Sequence, residues 1–204
     1  MNSTSTAQSS QGPGSQQELE QRLAVVGPKD TTRGFLFIAA LDFMKTEANA
    51  EALKRCMEAA GNTNFTAFFS YPVATLLKLT YAAARELSGK YNGFDGAMQQ
   101  LGFRAAPRFL ESTTGKMLLS LVGKDPKRLI DSMPSAYKAA WEHGGCTLTW
   151  NGPRSGRLTY VNAIPVAYFS GSVLQILSAA QLKNAQAIGR QTSLSESTVD
   201  FSWD

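Results

Sequence analysis

The sequence predicts an α+β fold: an N-terminal helical layer packed on one face of a four-stranded antiparallel sheet, the strands arranged hairpin–helix–hairpin. Three features lead there. Apolar residues recur at steps of three and four over residues 31–143. The period falls to two directly after Gly144-Gly145. Two alternating stretches then flank one more helical stripe, between Val166 and Ala180.

Residues 1–17 are almost all Ser, Thr, Gln, Gly and Asn, with Gly-Pro-Gly at 12–14, and are expected to form a disordered polar tail. Residues 18–204 are expected to form a single α+β ligand- or partner-binding domain. Leu19, Leu23, Val25 and Val26 ahead of Gly27-Pro28 mark a short leading element that the pattern leaves open between helix and strand.

Asp30 or Thr31 is placed to cap a helix carrying Phe35, Leu36, Ala39, Ala40 and Phe43 on its apolar stripe. A second helix is expected from Ala48 to Ala60, stopped by Gly61-Asn62. Tyr71-Pro72 starts a third, because proline is tolerated in a first turn; Leu76, Leu77, Thr80, Ala84 and Leu87 form its stripe, and Gly89 ends it. A short helix over 94–101 leads through Gly102 to a stronger one from Pro107 to Gly123, with Phe109, Thr113, Met117, Leu118 and Leu121 on one face. Asp125-Pro126 is an N-cap followed by a first-turn proline, and Pro134 is expected to break or kink that helix before Tyr137, Ala140 and Trp141 continue it.

After the change of period, Cys146, Leu148 and Trp150 alternate with threonines, Asn151-Gly152-Pro153 turns the chain, and Leu158 and Tyr160 face the same way on the return strand. Val166, Tyr168, Val173, Leu174, Leu177 and Ala180 read as a helix, although 167–169 could remain extended. Residues 185–190 and 198–203 supply the second hairpin, with Val199, Phe201 and Trp203 on the buried face.

The 204 residues with 43% hydrophobic content suit one core. No window approaches the 18 or so consecutive apolar residues of a bilayer span, and no basic-then-apolar leader opens the chain, so a cytoplasmic protein without a transmembrane segment is expected. The two cysteines, Cys56 and Cys146, are far apart and free of CxxC or Cys/His clustering, as in reduced intracellular proteins. A net charge of +4 comes from 20 basic against 16 acidic residues, dispersed along the chain. Lys116, Lys124, Lys127, Arg128 and Lys138 are interleaved with acids, which argues for a solvated mixed-charge face and against nucleic acid.

Several short strings occur in order: Arg33-Gly34-Phe35-Leu36-Phe37, Tyr71-Pro72, Leu101-Gly102, Ser112-Thr113-Thr114-Gly115, Asp125-Pro126, Pro134-Ser135-Ala136-Tyr137 and Tyr168-Phe169-Ser170-Gly171. Together they resemble the large paralogous family of uncharacterised myxobacterial proteins, from about Arg33 onward. More distantly, the order of elements is similar to the fold shared by TRAPP vesicle-tethering subunits, 4-vinyl reductase domains and heme nitric-oxide-binding domains. That TRAPP-like resemblance implies a ligand or lipid cavity between helices and sheet, and dimerisation. It does not extend to heme, because the sequence has a single histidine, His143, and no Tyr-x-Ser-x-Arg motif. Nor does it extend to a metal site in the last hairpin, which has no cysteine.

No catalytic constellation stands out, so a non-catalytic binding or sensor-like module without cofactor or metal is expected. The alternative is a homo- or hetero-oligomeric assembly or signalling adaptor. A Cys146/His143 enzyme is a third reading, but His143 sits at a helix end where capping explains it and Cys146 falls on an inward strand position. Thr114-Gly115-Lys116 lacks the upstream glycine and the following Ser or Thr of a phosphate loop, so Gly115 is read as a point of close helix approach. Trp141, Cys146, Tyr160 and Tyr168 are expected on the wall of a cavity for a small apolar or amphipathic ligand. Arg33, in the first turn of an apolar helix, is expected either to bind an anionic group of the ligand or to pair with Asp125 or Asp42.

Overall fold

The computed structural model describes residues 12–61, 64–122 and 125–204. Residues 1–11 of the expected tail, and the expected helix stops at Asn62 and Gly123, lie outside the described residues. The end of that tail is ordered: Gly12 to Gly14 turn into helix α1 (Gln16–Ala24), and the Ser15 hydroxyl accepts from the Glu18 N–H at 3.1 Å. The Glu18 carboxylate reaches back to the Gly14 N–H at 2.7 Å, so one donor of the first turn and the N–H just ahead of the cap are both satisfied. The leading element of open type is therefore a helix, anchored by Leu19 and a buried Arg22.

Strand β1 (Thr31–Arg33) occupies the place expected for a helix cap and pairs antiparallel with β2 (Ser70–Pro72). At three residues each, these strands are too short to show a period, and they correct the expectation of an all-helical first half. Thr32 also bridges to Trp141, and its hydroxyl donates to the Ala140 carbonyl at 2.8 Å. Helix α2 (Gly34–Glu47) is apolar on nearly every side and runs through the centre of the helical layer, burying Phe35, Leu36, Phe37, Leu41, Phe43 and Met44. Helix α3 (Ala50–Ala60) starts at the Asn49 cap, and α4 (Val73–Leu87) follows Pro72 directly.

Helix α5 (Phe94–Glu111) corrects the expected pair of helices over the same stretch: Gly102 and Pro107 both lie inside it. The break comes later, at Ser112, whose backbone turns extended and whose hydroxyl accepts from the Gly115 N–H at 3.1 Å to start α6 (Thr113–Val122). Gly115 does mark a close approach, against the Phe109 carbonyl. Met117, expected on the buried stripe, is 61% exposed. Helix α7 (Pro126–Asp131) has the expected Asp125 cap, and Pro134 stands in the first turn of α8 (Met133–Ala140).

The sheet comprises β3 (Gly145–Gly152), β4 (Ser155–Val161), β5 (Gln186–Gln191) and β6 (Glu196–Ser202), with α9 (Val166–Ala179) between the hairpins. All pairings are antiparallel and the spatial order is β3-β4-β6-β5, so the second hairpin joins the first through its last strand. Cys146, Leu158, Tyr160, Val199 and Phe201 face the core, while Arg157 and Asp200 pair on the opposite face at 2.6 Å. Residues 167–169 are helical, and α9 packs on α5 along one side and on β5 and β6 along the other.

An apolar cavity between helices and sheet

Four helices and strand β4 line an apolar cavity of about 90 Å³ that is partly open to the surface. Helix α2 contributes Phe35 and Leu36, and α5 contributes Ala105, Ala106 and Phe109. Met133, Ala136, Tyr137 and Ala140 line it from α8, followed by Trp141 where the chain leaves that helix. Tyr160 closes the sheet side, and Tyr168, Phe169, Ser172 and Ile176 come from α9. The space exists because Ala105, Ala106, Ala136 and Ala140 face large rings without filling the gap between them.

The rings are flat walls held by one another. Tyr160 and Phe169 stack at 4.2 Å and 11°, Tyr137 and Trp141 lie nearly parallel at 6.0 Å, and Tyr168 meets Phe169 edge-on at 84°. The Tyr137 hydroxyl is within reach of the His143 and Val161 carbonyls at 3.1 and 3.2 Å and accepts from the Asn162 amide at 2.8 Å. The Asn162 carbonyl oxygen in turn accepts from the Ile164 N–H at 2.9 Å, which fixes the entry to α9. Burial drives the phenols of Tyr137, Tyr160 and Tyr168 upward, so all three stay neutral.

Of the residues expected at the site, Trp141, Tyr160 and Tyr168 line the cavity together. Cys146 does not: it sits opposite Tyr160 across the β3–β4 pair and shares a hydrogen bond with it, behind the wall. Desolvation pushes its thiol up to about 12, so it is a core thiol. Arg33 is also elsewhere. Its guanidinium lies at the surface, 2.9 Å from Glu142 and 2.8 Å from the Ser70 hydroxyl, so its partner is neither Asp125 nor Asp42. His143 is 40% exposed and holds Asp30 through Nδ1 at 2.8 Å rather than Cys146. Trp150, Phe201 and Trp203 form a separate cluster, with the Trp150 indole donating to Asp131 at 2.8 Å.

Sequence reasoning missed Phe35, Leu36, Tyr137 and Phe169, which it had assigned to core stripes or left out of the wall. It also missed the alanines, whose effect depends on what stands across from them.

A helical layer over a four-stranded antiparallel sheet, with a cavity at their junction, places the chain in a recognisable structural class. It is similar in fold to H-NOX proteins. The Fe(II)NO-ligated H-NOX protein of S. oneidensis superposes with a TM-score of 0.66 at 11% identity over 84% of this chain and 99% of that one. The unliganded Fe(II) H-NOX protein of K. algicida gives 0.62 at 15% identity, over 84% and 96%. The IWP-051-bound H-NOX of Shewanella woodyi gives 0.59 at 18%, over 84% and 94%. The chain itself belongs to the family described as protein of unknown function, DUF2378, whose pattern matches residues 26–204. No curated protein matches it.

Heme does not fit the residues present. A space of about 90 Å³ is well below the roughly 300 Å³ at which drug-sized ligand sites begin, and a porphyrin is larger still. Among the described residues no histidine or cysteine lines it, His143 is engaged with Asp30 outside it, and the buried phenols resist the ionisation that iron ligation by tyrosine needs. Nor, among the described residues, is any group of three or more His, Cys, Asp or Glu arranged to hold a metal ion.

Proposed function

We propose that the chain is a non-catalytic, sensor-like module that takes up a small apolar or amphipathic molecule between its helical layer and its sheet. The supporting observation is the aromatic-walled cavity, a partly open concavity whose lining is almost wholly apolar. The H-NOX-like fold, seen in proteins whose ligated states have been described, agrees with a binding role. The non-catalytic reading draws on Cys146, whose thiol is raised to about 12 and faces the core, and on His143, which is occupied by Asp30. The buried free thiols also suit a reducing, cytoplasmic setting.

Native mass spectrometry of protein purified from its own host tests this. Wild type is expected to carry a small added mass that Ala136→Leu, which fills the half-buried mouth of the cavity, does not retain. Wild-type protein of bare polypeptide mass, with a thermal midpoint that no small apolar compound raises, would remove the proposal.

A further inference from the structure

The two edges of the sheet are unlike. Strand β3 is bulged between Trp150 and Gly152, and α7 holds its end through Asp131, which accepts from the Trp150 indole. Strand β5, at the other edge, runs in unbroken register with β6 from Gln186 to Gln191. It contains no proline, and Ile188 stands 56% exposed on the face of the sheet turned away from the helices. An edge without bulge, proline or inward charge is a template for a further strand.

The hairpin fixes which backbone groups of β5 are free. The Thr192 N–H donates to the Glu196 carbonyl at 3.0 Å. By the alternation of an antiparallel ladder, Arg190, Ile188 and Gln186 then bond to β6, while Ala187 and Gly189 turn their N–H and C=O outward. Among the described residues, nothing outside the β5–β6 ladder makes a backbone hydrogen bond to those outward groups.

The chemistry of this edge is the same read in either direction from Ile188. In antiparallel pairing with a second copy, Ile188 meets its own counterpart, Ala187 lies opposite Gly189, and the Gln186 amide oxygen lies opposite the Arg190 guanidinium. The outward N–H and C=O of Ala187 exchange bonds with those of Gly189, and no like charges are opposed. Helix α9, which packs on the inner face of β5, has no charged residue from Val166 to Ala179, so its two copies approach without repulsion.

We propose that β5 is a self-association surface: two copies of the chain pair antiparallel through this strand about a two-fold axis at Ile188, joining their sheets into one. One strand pair is a small interface, below the roughly 1,200 Å² of a stable complex, so the dimer is reversible, with a dissociation constant between about 1 μM and 1 mM.

Sedimentation equilibrium of the full chain over that range is expected to show monomer and dimer together. Ile188→Lys sets like charges against each other on the axis while facing Asp200 within its own sheet, so it should weaken the dimer about tenfold or more and keep the fold by circular dichroism. Ile188→Glu should weaken it likewise, and an equimolar mixture of the two variants should associate again, because only there do opposite charges meet. Ala187→Pro removes an outward N–H and no bond to β6, and should also leave monomer. Wild type that stays monomeric up to about 1 mM overturns the second copy as occupant and leaves the open edge to a strand of another protein. A dimer that persists in Ile188→Lys, or a mixture that fails to associate where wild type does, overturns the axis at Ile188.

Discussion

Arg22 concentrates more structural consequence than any other charged side chain in α1. It is 3% exposed, and one of its nitrogens reaches the carbonyls of Ala163 at 2.8 Å and Leu194 at 3.1 Å while another pairs with Glu18 at 2.9 Å. A single planar fork therefore joins α1 to the segment before α9 and to the β5–β6 turn, a geometry that suits guanidinium better than ammonium. Removing it leaves the Glu18 carboxylate and two carbonyls without their partner in a region largely closed to water. Arg22→Ala is expected to cost about 3–5 kcal/mol in urea denaturation, and Arg22→Lys to recover only part of that. A loss within about 1 kcal/mol for the alanine variant would show that the pair is solvated like an ordinary surface bridge. The i,i+4 spacing of Glu18 and Arg22 is visible in the sequence, but the burial is not, because it depends on carbonyls more than a hundred positions away.

The crossing of α5 and α9 shows which features of an element can be read locally. Gly102 and Gly171 meet the opposing backbones at the carbonyls of Tyr168 and Gln99, so the two helices touch main chain to main chain. In one dimension a glycine inside a helical stripe resembles a stop, which is why α5 was expected as two pieces. In the fold Gly102 serves close approach, and the actual break, at Ser112, is set by a capping hydroxyl. The Asp125-Pro126 start and the change at Gly144 were legible because capping and period are local properties. The β1–β2 pair was not, since three-residue strands have no period, and neither was the β3-β4-β6-β5 order, because alternation assigns faces and not neighbours. The same division runs through the cavity: large rings at Trp141, Tyr160 and Tyr168 advertised it, whereas the alanines that open it did not. Gly102→Ala should therefore push α9 away from α5, costing about 1–3 kcal/mol or more and weakening ligand uptake, since both helices supply wall residues. Gly89→Ala is the control, because nothing lies within 4 Å of the added atom. Equal thermal midpoints for the two variants would mean that the crossing relaxes freely.

At the scale of the whole molecule, two sets of titrating groups bound the pH range of stability from opposite sides. Glu47, Glu86, Glu142 and Asp200 are all held below the ordinary carboxylate range, chiefly by hydrogen bonds from Lys90, Arg55, Thr31 and Arg157 respectively. Each joins separate elements: α2 to the end of α4, α4 to α3, the Trp141 region to the β1–β2 pair, and β6 to β4. A depressed folded value means that this stabilisation is present above the unfolded values near about 4 and is lost as pH falls through the folded ones. Cys56, Cys146, Tyr137, Tyr160 and Tyr168 are shifted the other way by burial. For these raised groups the contribution is complete below the unfolded values, about 8.5 for thiols and 10 for phenols, and declines as pH rises beyond them because the unfolded chain ionises first. The urea midpoint is therefore expected to fall on both the acid and the alkaline side. Glu142→Gln should flatten the acid limb alone, and Cys56→Ala with Cys146→Ala should delay the alkaline limb to the phenol range. An acid limb unchanged in Glu142→Gln would mean that the bonds to Thr31 and Ser70 and the pairing with Arg33 do not distinguish the ionised carboxylate from the neutral one. The β1–β2 pair would then be held to the Trp141 segment by contacts that do not depend on that charge, the Thr32 hydroxyl on the Ala140 carbonyl and the Glu142 N–H on the Thr31 carbonyl.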